Sequence, residues 1–587
     1  MFFVHYWLTT SIYIEVIKYI YRFCIYRYTF IYMHSIYIDA HLLFQKLEYS
    51  ILTVTQLATP AAMQPLAAGG GVSWPLYAAT VAAALLVTAI VLRLAARSTA
   101  AACKARPPAG SLGWPLVGET LQFISAAYSS RPESFVEKRC RRYGKVFRSH
   151  LWGSPAVVSA DAEASRAVLQ SDASAFVPWY PRSLMELMGE SSILVLGGAL
   201  QRRVHGLAGA FFKSPELKAR VTADMRSRLA AAMDAWRATA ATGAGAAVRV
   251  QDEAKLIVFE ILVRALIGLE QGQEMNYLRQ QFHIFIAGLI SLPIKLPGTQ
   301  LYRSLKAKKR MTSLIQNIIQ EKRRRIFEGK DLCAVSRDLI DVLMSNGSDE
   351  LSLTDELISD NMIDFMIPAE DSVPVLITLA IKYLSECPLA LQQLEEENME
   401  LKRQKSDVGE TLEWTDYMSL TFTQHVITET LRIGNIISGI MRKAVRDVEV
   451  KGQGDVVIPK GWCVLVYFRS VHLDANIYDD PYAFNPWRWK ERDMAAATAN
   501  SGSGFTPFGG GQRLCPGLDL ARLQTSIFLH HLVTNFTYVN YTYLSGWHRG
   551  TSSSTSQQCG SNEECPSRSR PRHNMQISPD HLKVRGE

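Results

Sequence analysis

Phe508-Gly509-Gly510-Gly511-Gln512-Arg513-Leu514-Cys515-Pro516-Gly517 is the stretch on which the reading of this protein turns. It sets one cysteine in a glycine-rich loop, with an arginine two positions before it and a helix start after it. A metal-ligating thiolate must stay unprotonated and shielded from water, and backbone N–H groups aimed at the sulfur favour that state. Glycines let a backbone pass close to a flat macrocycle. Arg513 is spaced to reach a propionate, Phe508 to cover the sulfur, and Pro516-Gly517 to open a helix over 518–523. A cysteine taken alone reads as a small buried hydrophobe. The whole spacing instead suits a thiolate that holds haem iron.

The order F-x-x-G-x-R-x-C-x-G resembles the haem-binding signature of the cytochrome P450 family, with every fixed position met by Phe508, Gly511, Arg513, Cys515 and Gly517. The resemblance implies a mainly α fold, a large helical domain with small β-sheets, preceded by a single N-terminal transmembrane helix. It also implies haem b with Cys515 as the iron ligand, dioxygen as co-substrate, and electrons from NADPH through a flavoprotein reductase. Glu429 and Arg432 stand three apart on one helix face. Alone, such a pair is ordinary surface decoration. Here Phe484-Asn485-Pro486-Trp487-Arg488-Trp489 and then the cysteine loop follow it in order. The family resemblance therefore implies a buried ion network of Glu429, Arg432 and Arg488, structural in role because a buried charge must stay paired.

A length of 587 residues with 48% hydrophobic residues is ample for a large core. The nine cysteines are scattered, without the paired spacing of a disulfide framework or a zinc site. A net charge of +8 is modest for this length, and the basic runs at 306–310 and 322–325 read as solvated helix faces. No nucleic-acid reader pattern is present, so nucleic acid is not an expected partner.

Residues 74–92 are uncharged and mostly apolar, long enough to cross a bilayer as a helix. Arg93, Arg97, Lys104 and Arg106 follow, which orients the rest toward the cytosol. The expected organisation is an atypical extension over 1–62, a membrane anchor and basic flank over 63–106, a proline-rich hinge over 107–120, a haem-thiolate catalytic domain over 121–540 and an atypical tail over 541–587. The extension reads as a gene-model addition, or alternatively as a further membrane-associated segment. The expected location is the endoplasmic reticulum membrane, single-pass, with the catalytic domain cytosolic. Periodicity predicts helices over 215–236, 252–267, 304–327, 352–386 and 422–432, and strand-like pieces over 144–159 and 448–468.

The predicted helix over 352–386 carries Pro368 and Pro374, which delete hydrogen bonds and open a groove. Pro368-Ala369-Glu370-Asp371-Ser372 partly matches the family's dioxygen-binding pattern, with Ala369 in place of glycine and Ser372 in place of threonine. Asp371 and Ser372 are the expected catalytic pair, relaying protons through water. The plain alternative is a kinked core helix. Gln201 and His205 fall where the family bonds haem propionates, His205 and Arg202 are the candidate donors there, and Arg442 is a third candidate on a strand. A helical histidine is also commonly just packed or solvated.

The segments 176–181, 292–299 and 505–507, with the Pro-Ala-Glu-Asp-Ser groove, resemble the plant brassinosteroid-biosynthetic branch, closest to its steroid C-23 hydroxylase or C-3 oxidase subfamily, over about residues 107–535. That implies a steroid substrate against apolar walls, with Trp179, Tyr180, Ala369 and Ile437 in the pocket. Residues 542–587 are rich in Ser, Gln, Arg and Pro and read as disorder instead of the family's closing strand pair. Two alternatives therefore stand beside the steroid hydroxylase: a haem-binding but inactive splice or gene-model variant lacking that hairpin, and a peroxide-rearranging relative. Asp371 and Ser372 speak against the second.

Overall fold

The computed structural model describes residues 107–114, 118–241, 248–328, 338–345, 353–450, 456–491 and 504–536, together with two short backbone strands beyond them. The expected anchor and the extension before it lie outside the described residues. Ten strands are present among these residues: β1 (Val146–Leu151), β2 (Ser154–Ser159), β3 (Phe176–Pro178), β4 (Val248–Arg249), β5 (Ile440–Ala444), β6 (Val448–Val450), β7 (Val456–Ile458), β8 (Cys463–Val466), β9 (Tyr541–Tyr543) and β10 (Met575–Ile577). Helices make up most of the rest.

The main sheet has the order β1-β2-β8-β5-β3. Trp152 and Gly153 both take positive φ, 48° and 76°, as the tight two-residue turn between antiparallel β1 and β2 requires. β2 and β8 pair in parallel at the sheet's centre, and Val157, Val158, Val464 and Val466 are fully buried there. The proline-rich hinge docks on the edge of this sheet. Arg148 donates its N–H to Ala109 O at 2.9 Å, and Ser111 N–H returns to Arg148 O at 3.2 Å.

The largest hydrophobic cluster sits between the helices Val250–Ile267, Val373–Glu386 and Leu518–Asn535. Eleven residues of Val250–Ile267 are buried, so this helix is apolar nearly all round, as an internal helix must be. The helix predicted over 304–327 begins earlier, at Gln300. Thr299 caps it by accepting from Tyr302 N–H, and Leu301, Ser304, Ala307, Met311, Ile315 and Ile319 form its buried stripe.

Two expectations are corrected. The single helix over 352–386 is three pieces, Asp355–Met366, Pro368–Asp371 and Val373–Glu386. Pro368 cannot donate to Asp364 O, and Ile367 N–H takes that carbonyl at 3.1 Å, tightening the turn. The tail expected to hold no strand supplies two: β9 and β10 pair antiparallel, and β10 pairs with β4 in a sheet of order β4-β10-β9. Both are three residues long, too short for a periodic signal, and their partner strand lies far back in the sequence. No single helix among the described residues is long and apolar enough to cross a membrane.

Candidate active site

The loop over 508–517 folds back on itself. Cys515 N–H donates to Phe508 O at 3.1 Å, Leu514 N–H to Gly511 O at 3.1 Å, and Gly509 N–H to Thr506 O at 3.1 Å. Gly511 is needed twice over: its φ is +62°, and a Cβ there would sit 2.2 Å from Leu169 O. Phe508 is half-buried against the main core, and Gly517 is the N-cap of Leu518–Asn535. The Cys515 thiol is only partly exposed. Burial raises its pKa, and the Gly517 N–H pulls it back down. A metal cation bound at the sulfur would favour the thiolate against that burial.

The helix Gly198–Lys213 runs beside this loop. His205 donates from Nε2 to Leu514 O at 2.8 Å, and buried Gln201 accepts from Gln512 Nε2 at 3.1 Å. Arg202, next along the helix, is exposed. Arg513 donates to Ile193 O at 3.1 Å and to Leu196 O. Arg442, buried on β5, donates to Met441 O at 3.0 Å and lies beside the Tyr180 hydroxyl. Burial and the neighbouring Arg442 push Arg513 down to about 10, and burial lowers Arg442 as well. No carboxylate among the described residues pairs with either guanidinium. Two adjacent, largely buried cations without an anion form a site that calls for one.

Pro368–Asp371 places fully buried Ala369 in the main core, with Asp371 and Ser372 half-buried at the break. Ser372 N–H donates to Pro368 O at 3.2 Å, and Leu376 N–H takes Ser372 O at 2.9 Å. Glu370, the neighbouring acid, is held by Lys255, with His283 at 3.8 Å. Burial pushes Glu370 up, but His283 and Lys255 outweigh it and leave the carboxyl below its usual range. Further back, Asp364 accepts from Ser192 Oγ at 2.5 Å, and Asn361 accepts from Ile193 N–H at 2.9 Å. These two side chains anchor the segment whose carbonyls receive Arg513. Neither was apparent in the sequence, where buried Asn and Asp on an apolar helix were the available signal.

Below the loop, Glu429 and Arg432 are completely buried. Arg432 grips Glu429 with Nε at 2.9 Å and Nη2 at 2.7 Å, and Arg488 Nε reaches Glu429 Oε1 at 3.0 Å. The carboxylate also receives Asn485 N–H at 3.0 Å and Trp489 Nε1 at 2.9 Å. Remaining guanidinium hydrogens go to carbonyls: Arg432 to His472, Pro481 and Ala483, and Arg488 to Asp479. Sequence reasoning missed Trp489 as a partner, although an indole N–H in a buried position needs an acceptor.

The residues expected to share a substrate pocket are placed differently from one another. Trp179 packs against the cluster on one face of the main sheet, Tyr180 turns its hydroxyl to Arg442, and Ile437 is exposed in the loop before β5. Ala369 is fully buried in the main helical core.

The family model for cytochrome P450 matches residues 107–541. The protein is 74% identical over 484 residues to "Cytochrome P450 90D2" of Brachypodium distachyon, a match that spans 81% of this sequence and 91% of that one. It is 56% identical to "3-epi-6-deoxocathasterone 23-monooxygenase CYP90D1" of Arabidopsis thaliana, over 74% of this sequence and 84% of the relative. Among solved structures, retinoic acid-bound cyanobacterial CYP120A1 superimposes with a TM-score of 0.63 at 21% identity, over 82% of this protein and all of that one, which speaks to the fold alone. A thiol loop, a buried ion network beneath it and a proline-broken helix tied to it through the segment 192–196 thus coincide with the matched span, and the protein belongs to the cytochrome P450 family.

Proposed function

We propose that the protein hydroxylates a steroid in brassinosteroid biosynthesis, at carbon 23 of the substrate, using dioxygen and electrons delivered from NADPH by a flavoprotein reductase. The observation that carries the substrate is the 56% identity to the Arabidopsis relative named as a 23-monooxygenase. The paired tail strands weaken the alternative of an inactive variant without its closing hairpin.

The residues present fit the haem that the family uses. Cys515 offers a sulfur at a helix start, and Arg442 and Arg513 two cations without a carboxylate partner for the propionates. When bound, haem iron supplies dioxygen activation, with one oxygen atom entering a C–H bond and the other leaving as water with two electrons and two protons. The protein supplies the rest. Cys515 holds the metal, with the Gly517 N–H stabilising the thiolate, and His205 fixes the loop through Leu514 O. Asp371 and Ser372, at the break in the helix, pass protons inward from solvent. Glu370, tied to Lys255, is a poor proton carrier. Glu429, Arg432 and Arg488 keep the loop's underside rigid without touching substrate.

Expression of the full-length protein with a plant reductase, NADPH and 3-epi-6-deoxocathasterone, the steroid in the Arabidopsis relative's name, followed by mass spectrometry, tests this reading. The expected product carries one added hydroxyl, at carbon 23. A thiolate-type carbon monoxide spectrum without any steroid product overturns the substrate, and absence of that spectrum overturns the ligand. The membrane anchor is proposed from residues 74–92. Deletion of 1–106 is expected to release the haem domain from membranes on alkaline extraction, and an unchanged integral-membrane fraction counts against it.

A further inference from the structure

His472 is fully buried, on the short helix Phe468–His472, and both of its ring nitrogens are engaged. Thr506 N–H points at Nε2 from 3.0 Å. A backbone amide can only donate, so Nε2 is the acceptor and the ring proton sits on Nδ1. That proton meets Asn435 Oδ1 at 2.8 Å. The Asn435 amide is itself oriented, since its Nδ2 donates to Arg432 O at 2.6 Å. Asn435 ends the helix Thr421–Gly434 in the left-handed conformation, φ 44° and ψ 56°, which asparagine tolerates better than most residues. The His472 carbonyl accepts from Arg432 Nη1 at 2.9 Å.

A continuous path therefore runs from the ion network to the ligand loop. Arg432 fixes Asn435, Asn435 fixes the tautomer of His472, and His472 holds Thr506. Thr506 O closes the turn to Gly509 N–H, and Phe508 O accepts from Cys515 N–H. The segment 504–508 has little other regular structure to hold its register. Burial, Arg432 and Arg469 push His472 down to about 3, so its Nε2 lone pair remains available across the physiological range.

We infer that His472, with its tautomer locked by Asn435, is a positioning residue that sets the register of the cysteine loop and so protects iron–thiolate ligation. It acts through Thr506 and never touches haem or steroid. The inference rests on Cys515 as the ligand but not on the identity of the substrate.

The test compares full-length proteins purified with haem: wild type, His472→Gln, His472→Leu and Asn435→Gly, at matched haem content. Two quantities are followed: the rate at which the reduced carbon monoxide form loses its thiolate-type band after a mild acid shift, and hydrogen exchange of the peptide spanning 504–508. The glutamine variant can present an oxygen near the Nε2 position, and Asn435→Gly keeps the left-handed turn while removing the lock. His472→Leu and Asn435→Gly are expected to lose the band several-fold faster and to exchange the Thr506 amide at least tenfold faster, with His472→Gln close to wild type. A residue that merely stabilises the fold would lower the haem-loaded yield and leave both quantities unchanged in the loaded fraction. Equal rates across all loaded proteins, or a glutamine variant as fast as leucine, overturn the assignment. Should His472→Leu yield no loaded protein, Asn435→Gly decides alone, and wild-type rates from it overturn the inference.

Discussion

Trp489 donates its indole N–H to Glu429 Oε2 at 2.9 Å, while Arg488, the preceding residue, takes Oε1 of the same carboxylate at 3.0 Å. One turn of 3-10 helix, Pro486–Trp489, thus serves both oxygens of a fully buried acid. Charge and hydrogen bonding are satisfied by neighbouring residues on one rigid element.

The two contacts differ in cost of removal. Trp489→Phe leaves the ion pairs intact and deletes one hydrogen bond to a charged group, so a loss of about 1.5–3 kcal/mol is expected. Arg432→Ala removes the bidentate partner of a buried carboxylate, leaving it to Arg488, and is expected to cost roughly 3–5 kcal/mol, enough to lose most of the haem-loaded protein. Thermal melting and haem-to-protein absorbance ratios check the ordering. A phenylalanine variant as poor in haem as Arg432→Ala would show that the indole, not the ion pair, dominates.

Cys515→Ser replaces a soft thiolate donor by a neutral hydroxyl, which binds iron poorly. The thiolate-type carbon monoxide band is expected to vanish. The backbone bond from residue 515 to Phe508 O is untouched by the change, so far-ultraviolet circular dichroism should stay near wild type. A persistent thiolate band would move the ligand to another cysteine.

Asp364 gives the stability of the protein a pH dependence. Its complete burial pushes the carboxyl up to about 7, against the opposing hydrogen bond from Ser192. The folded protein therefore binds this proton more tightly than the unfolded polypeptide does. The contribution to stability is fully present below the unfolded carboxylate pKa of about 4. It is lost as pH rises toward 7 and is constant beyond. Asp364→Asn cannot ionise, yet its carbonyl can still accept from Ser192. The melting temperature of the variant minus that of wild type is expected to grow between about pH 5 and pH 8. Subtraction removes other raised acids such as Asp338. A difference flat with pH would mean that Asp364 titrates normally.

Much of this site was legible because its pieces recur in a fixed order: Glu429 and Arg432, then Arg488, then the glycine-rich loop to Cys515. Such spacing records covalent neighbours, and the ion network lies mostly within two short segments. What escaped were contacts set by tertiary docking. Ser192 meets Asp364, and Thr506 meets His472, across long loops that leave no periodic trace. The proximity of the Tyr180 hydroxyl to Arg442 is another contact set by docking, since the two residues lie far apart in the sequence. The strand pairing of Met575–Ile577 with Val248–Arg249 was missed for the same reason, since edge pairing depends on what is spatially adjacent.

The proton-delivery assignment makes the sharpest functional prediction. Glu370 and Asp371 are consecutive acids on the same broken helix, but Glu370 is committed to Lys255 and His283, which hold it ionised. A carboxylate locked in an ion pair is a poor proton carrier. Asp371 sits half-buried at the break in the helix, next to Ser372. Asp371→Asn is therefore expected to keep haem and the thiolate band while steroid turnover falls roughly 10²-fold or more, the usual scale for removing a positioned proton donor. NADPH consumption should fall much less, with the missing product appearing as hydrogen peroxide. Glu370→Gln is expected to act on stability instead, because it leaves Lys255 without its partner. Turnover per haem in the Glu370→Gln protein should remain within a few-fold of wild type. Product, peroxide and NADPH measured together on both variants separate the roles, and the reverse pattern would assign proton delivery to Glu370.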